Sequence, residues 1–192
     1  MHHDDQTIRY GAWGAFIGLT PLLVFSNGLL MGLVLGLTFL LVHSTASAVA
    51  LLVPVSFGQR RIFVFSMAGA VIAASVCATL IRLIDPMLFE TAYTRVFLAA
   101  FTVPVFSAAV VPSSIADRER ALENMARGLV YAAAIALIGL LRELVASGAV
   151  SMAQTTNPSV FLPVFAQPAG ALVLLGLIGA AFRVATSKGG NA

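Results

Sequence analysis

The chain has 192 residues, of which 59% are apolar and 10% charged, with a net charge of +3 and a mean hydropathy of +0.97. A water-soluble domain of this size must keep a polar surface, so the composition excludes a soluble enzyme, a nucleic-acid-binding domain and a disordered protein. A spanning helix takes roughly 20 apolar residues, so the apolar total fits about six spans and leaves little for an extramembrane domain.

The opening MHHDDQTIRY is polar and belongs at the membrane surface. His2 and His3 are read as a solvated pair; a metal site at the amino terminus is the rival reading. No basic leader or small-residue cleavage site precedes the first apolar stretch, so no cleavable signal peptide is expected. Six apolar stretches follow, at about 10–26, 28–53, 62–83, 95–112, 125–146 and 160–184.

The first and fourth stretches are short, and each holds a proline, Pro21 and Pro104. Proline removes a backbone donor and clashes with the preceding turn, so a break is expected in each. The words around them echo: Pro21 to Ser26 reads PLLVFS, and Pro104 to Ser107 reads PVFS. Each break is followed by two full-length stretches, and a three-span unit must be inverted relative to its copy. The expected fold is an all-α membrane protein, one domain over 1–192. Its six transmembrane helices form two inverted three-helix repeats, about 10–90 and 91–185, with a flexible tail at 186–192. The first and fourth helices are broken, and Thr20, Pro21, Pro104 and Ser107 mark a shared site at the repeat interface. The alternative is that both prolines are ordinary kinks.

Orientation follows from the basic residues. Arg9, Arg60, Arg61, Arg118, Arg120, Arg127, Arg183 and Lys188 fall on one side, and Arg82, Arg95 and Arg142 on the other. This bias places both termini in the cytoplasm. Ser114, three residues before Asp117, reads as the cap of the fifth helix.

Gly28, Gly32 and Gly36 form overlapping GxxxG steps, and the spacing recurs at Gly69, Ala73 and Cys77 and at Gly128, Ala132 and Ala136. Such stripes let backbones approach, within the chain or against another subunit. Cys77 is the lone cysteine, so no internal disulfide or cysteine cluster is possible. His43, Ser44, Thr45 and Ser47 put polar groups inside the second helix. They are a candidate ion path, His43, Ser44 and Thr45 above all; the rival is one structural hydrogen bond from the histidine. Arg142 and Glu143 close the fifth helix, as anchors or as partners for other groups. No nucleophile with a base, carboxylate pair, phosphate loop or metal-ligand spacing is present, so no residue is assigned a catalytic or metal-binding role.

Four segments together resemble the six-helix D/E-type subunits of the Rnf and Nqr electron-transport complexes. They are IGLTPLLVFSNGL at the first break, GQRRIFVFSMAGAVIAAS at 58–75, GLLRELVASGAV at 139–150 and QPAGALVLLGLIGAAFR near the end. The likeness runs from about Ala15 to Arg183 and is nearest the E-type member of Rnf and the D-type member of Nqr. It implies a subunit of a bacterial inner-membrane, ion-translocating oxidoreductase, not catalytic alone. Its partners would be a homologous six-helix subunit of inverted topology, further membrane subunits and the lipid bilayer, with no nucleic acid. In the family each such subunit gives two cysteines to a two-iron, two-sulfur cluster shared by the pair. The matching positions here are Thr20 and Ala108. Neither supplies a thiolate or imidazole for iron, so no cofactor is expected on this chain alone. An iron–sulfur cluster and flavins are expected in the partner subunits. A small ion or solute transporter, or a structural assembly subunit, are the rivals on the same scaffold.

Overall fold

The computed structural model describes residues 18–107, 117–148, 150 and 162–188. His2, His3, Arg9, Ala108 and Ser114 lie outside these residues, as does the tail beyond Lys188. Every regular element among the described residues is helical. Helix α1 covers 18–25. It is followed by α2 (Leu29–Leu52), a 3-10 turn (Val55–Phe57), α3 (Gln59–Ile84), α4 (Pro86–Ser107), α5 (Asp117–Ser147), α6 (Pro163–Ala166) and α7 (Pro168–Lys188).

Three stretches, Leu29–Leu52, Arg60–Ile84 and Ala126–Ser147, are long and apolar enough to cross a membrane. Their outer surfaces are apolar as well. On α2, Leu35, Phe39 and Val42 are fully buried, while Leu33, Leu37 and Leu41 are 45–60% exposed on the opposite side. A helix apolar on both faces suits hydrocarbon outside and protein inside. These features fit a membrane protein.

α2 is the central helix, in contact with α3, α4 and α5. It turns into α3 through Gly58, whose φ of 78° is a conformation that glycine adopts without strain. Ser66 Oγ of α3 donates to Ala46 O of α2 at 2.9 Å. α3 passes into α4 through one residue, Asp85. Its backbone N–H closes α3 on Ile81 O at 2.9 Å, and its Oδ1 accepts from Met87 N and Leu88 N at 3.0 Å. Pro86 then occupies the first helical position, where its missing N–H is no loss.

That turn moves a boundary. The apolar pattern starts the fourth stretch near residue 95, but α4 starts at Pro86, so a repeat border at residue 90 falls inside a helix. The Asp85-Pro86 cap is the signal for the earlier start. Within the described residues, neither helix breaks at its proline. α1 stays helical through Pro21 to Phe25, and the chain leaves the helix at 26–28. α4 stays helical through Pro104 to Ser107. Among the described residues, a further interruption falls in the last apolar stretch, at Gln167 between α6 and α7.

Candidate functional site

The break after α1 frees backbone groups of opposite sign. Ser26 N still reaches Leu22 O at 3.0 Å, and Ser26 Oγ donates to Leu23 O at 2.8 Å. Gly28 follows in extended conformation and gives α2 no side-chain cap. The C-terminal carbonyls of α1 and the first N–H of α2 must therefore find partners elsewhere.

Both partners are consecutive residues of α5. The Arg142 guanidinium donates from Nη1 to Val24 O at 2.8 Å, Ser26 O at 2.9 Å and Leu23 O at 3.5 Å. Glu143 Oε2 accepts from Leu29 N at 2.7 Å. The cation meets the negative end of one helix and the anion the positive end of the next, each the favourable sense. Arg142 is only 1% exposed. It also serves the second break: Nε donates to Phe165 O at 3.3 Å, and Nη2 to Gln167 O at 3.1 Å. One side chain thus ties the end of α1 to the end of α6. Gly170 completes that corner, because a Cβ there would collide with Val164 O and the Phe165 backbone.

Arg95 approaches the same break from α4. Its Nη1 donates to Asn27 Oδ1 at 3.2 Å and Phe25 O at 3.4 Å, with the guanidinium 5.8 Å from the Phe25 ring centroid. Two arginines from different helices therefore flank one short irregular segment.

Small residues set α5 at the depth this requires. A Cβ on Gly32 would stand 3.2 Å from the Ala136 backbone, and one on Gly36 would stand 2.7 Å from Ala132 O. A Cβ on Gly139 would stand 2.6 Å from Gly28 O. The α2 and α5 stripes are thus one antiparallel seam within the chain. The α3 stripe is internal too: Ala73 and Cys77 are buried, and a Cβ on Gly69 would press on Val49. At the far end of α5, Ser147 Oγ donates to Glu143 O at 2.8 Å. Gly148 ends the helix at φ 70°, its N–H on Leu144 O.

The expected site residues are distributed differently from the sequence pattern. Thr20 and Pro21 lie within α1, half-buried and exposed respectively; Pro104 and Ser107 lie in the last turns of α4, on a continuous helix. His43, Ser44 and Thr45 do not share a face. His43 is buried against Phe39, with ring centroids 5.6 Å apart, and a Cβ on Gly128 would meet its ring at 2.9 Å. Ser44 is half-buried, and Thr45 returns its hydroxyl to Leu41 O at 2.8 Å. Ser47, one turn from His43, is the polar residue that shares its buried side. Among the described residues, no three His, Cys, Asp or Glu side chains converge as metal ligands would.

The role of Arg142 and Glu143 as caps was not legible from their position near a helix end. The signal that could have found it was an adjacent pair of opposite charges inside an otherwise apolar span, where a charge needs a partner. Comparison with protein-family models, curated proteins and solved structures gives no match.

Proposed function

We propose that the chain is a membrane subunit of an Rnf/Nqr-like, ion-translocating electron-transport complex. It pairs with a homologous six-helix subunit of inverted topology. Its own six spans form two inverted three-helix repeats in the bacterial inner membrane, with both termini cytoplasmic. It carries no reaction alone, and the iron–sulfur and flavin groups belong to its partners.

One observation carries this reading. The two segments on which the resemblance chiefly rests, IGLTPLLVFSNGL and GLLRELVASGAV, lie more than a hundred residues apart in sequence and close on each other in space. The marked residues of the second segment each have a place there. Gly139 admits the Gly28 backbone, Arg142 and Glu143 cap the two sides of the break, and Gly148 ends the helix. A motif needed only to span lipid would not require that combination. Thr20, at a family cysteine position, offers no thiolate, so the reading is of a scaffold subunit and not of an electron carrier.

Gentle detergent purification with partner identification, iron and flavin analysis tests it. Flavin- and iron-containing membrane partners should co-purify. A chain that isolates alone and moves ions or solutes in liposomes would be a transporter instead. Reporter fusions after Ser187 and within 114–124 should both report cytoplasm; a periplasmic signal at either would reject the orientation.

A further inference from the structure

We propose that the carbonyl oxygens gathered around Arg142 form a site for a planar cation, and that Arg142 is its tethered occupant. The oxygens belong to Leu23, Val24, Ser26, Phe165 and Gln167, at 2.8–3.5 Å from the guanidinium nitrogens. Three belong to the C-terminal end of α1, where carbonyls lack helical partners, and two to the α6–α7 corner; Leu23 O also accepts from Ser26 Oγ and Gln167 O from Gly170 N, so on these two the guanidinium uses a second lone pair. Glu143, the neighbouring acid on α5, directs Oε2 to Leu29 N. These five main-chain oxygens face the guanidinium in a position only 1% exposed.

The shape of the cage selects the occupant. Its acceptors engage Nε, Nη1 and Nη2, so the bonds radiate from the edge of a flat group. A guanidinium offers such a fork, whereas an ammonium projects its three donors from one point. The ligand class is thus guanidinium or a small alkylguanidinium. The site stands on this geometry alone and is independent of the electron-transport reading.

The test uses membranes containing the full chain with its natural partners. Ser26→Cys in a Cys77→Ser background supplies a reporter thiol at a fully buried position. Maleimide labelling should be slow with Arg142 present. Arg142→Ala should speed it about tenfold, as loss of a buried charged partner loosens both breaks. Millimolar methylguanidinium should then slow labelling of Arg142→Ala at least threefold towards the starting rate, while urea, flat but uncharged, should leave it unchanged. Arg142→Lys should label more slowly than Arg142→Gln, because it keeps the charge, yet faster than the parent, because it lacks the flat fork. This comparison decides the matter if the alanine variant does not accumulate, and lysine labelling as slowly as the parent would overturn the planar-cation site. The proposal is overturned if Arg142→Ala labels as slowly as the parent, if urea protects as well as methylguanidinium, if neither protects an opened variant, or if glutamine equals or surpasses lysine. Detection of the complex's partners is read separately, so failure here leaves the subunit assignment untouched.

Discussion

Pro21 and Pro104 stand in similar words of sequence, and each lies inside continuous helix, which runs on to Phe25 after Pro21 and at least to Ser107 after Pro104. α4 continues helically through Pro104. Near Pro21 the helix also continues, then opens at 26–28, where Arg142 and Glu143 supply donor and acceptor partners. A proline removes one backbone donor, which a membrane helix tolerates. A full break exposes several groups of both signs, and in hydrocarbon each must be paired. The position of a break is thus set by where other helices bring charges, and proline alone does not fix it.

Substitutions can sharpen or break that contrast. Arg142→Met removes the shared donor of two helix ends and should cost at least about 3 kcal/mol, since several buried carbonyls each lose a charged donor at about 1–3 kcal/mol apiece. Reversible unfolding in mixed micelles would measure it; a loss below about 1 kcal/mol would mean that the breaks hold without their cation. Gly139→Val places side-chain atoms against Gly28 O and should cost about 1–3 kcal/mol by overpacking. Equal stability would show that the α2–α5 seam is looser than its backbone distances. Glu143→Ala leaves Leu29 N without its carboxylate and should cost about 0.5–2 kcal/mol, as loss of a helix cap does. Glu143→Gln keeps an acceptor and should recover part of that loss. Pro104→Ala should change stability by less than about 1 kcal/mol, since it restores one hydrogen bond to a helix already continuous. A cost matching that of Arg142→Met would mean that α4 depends on Pro104 as the break after α1 depends on its arginine.

The helical, membrane-spanning character was legible because long apolar runs leave no other way to satisfy the backbone. The small-residue stripes at Gly32, Gly36, Ala132 and Ala136 were legible as a seam, though which stripe met which was not. Arg142 could be seen as a charge closing the end of a span. Its acceptors could not, because Val24 and Phe165 become its neighbours only when three separate helices assemble. The Asp85-Pro86 cap was hidden by Glu90, Thr91, Thr94 and Arg95, whose polarity resembles a loop although they lie on α4. His43, Ser44 and Thr45 are adjacent in sequence, but about 100° of turn per residue sends them in different directions.

The adjacency of Arg142 and Glu143 carries a consequence for how α5 tolerates change. The seam formed by Ala132, Ala136 and Gly139 against α2 sets the axial register and rotation of α5. The charged pair follows within a turn and inherits that phase. Inserting a single alanine between Gly139 and Arg142 would leave the seam and the composition almost untouched. It would turn the pair by about 100° and advance it by roughly 1.5 Å, carrying both charges away from their helix ends. The short stretch between the last seam glycine and the arginine therefore acts as a vernier. Its spacing is under tighter constraint than the identity of the apolar residues that fill it.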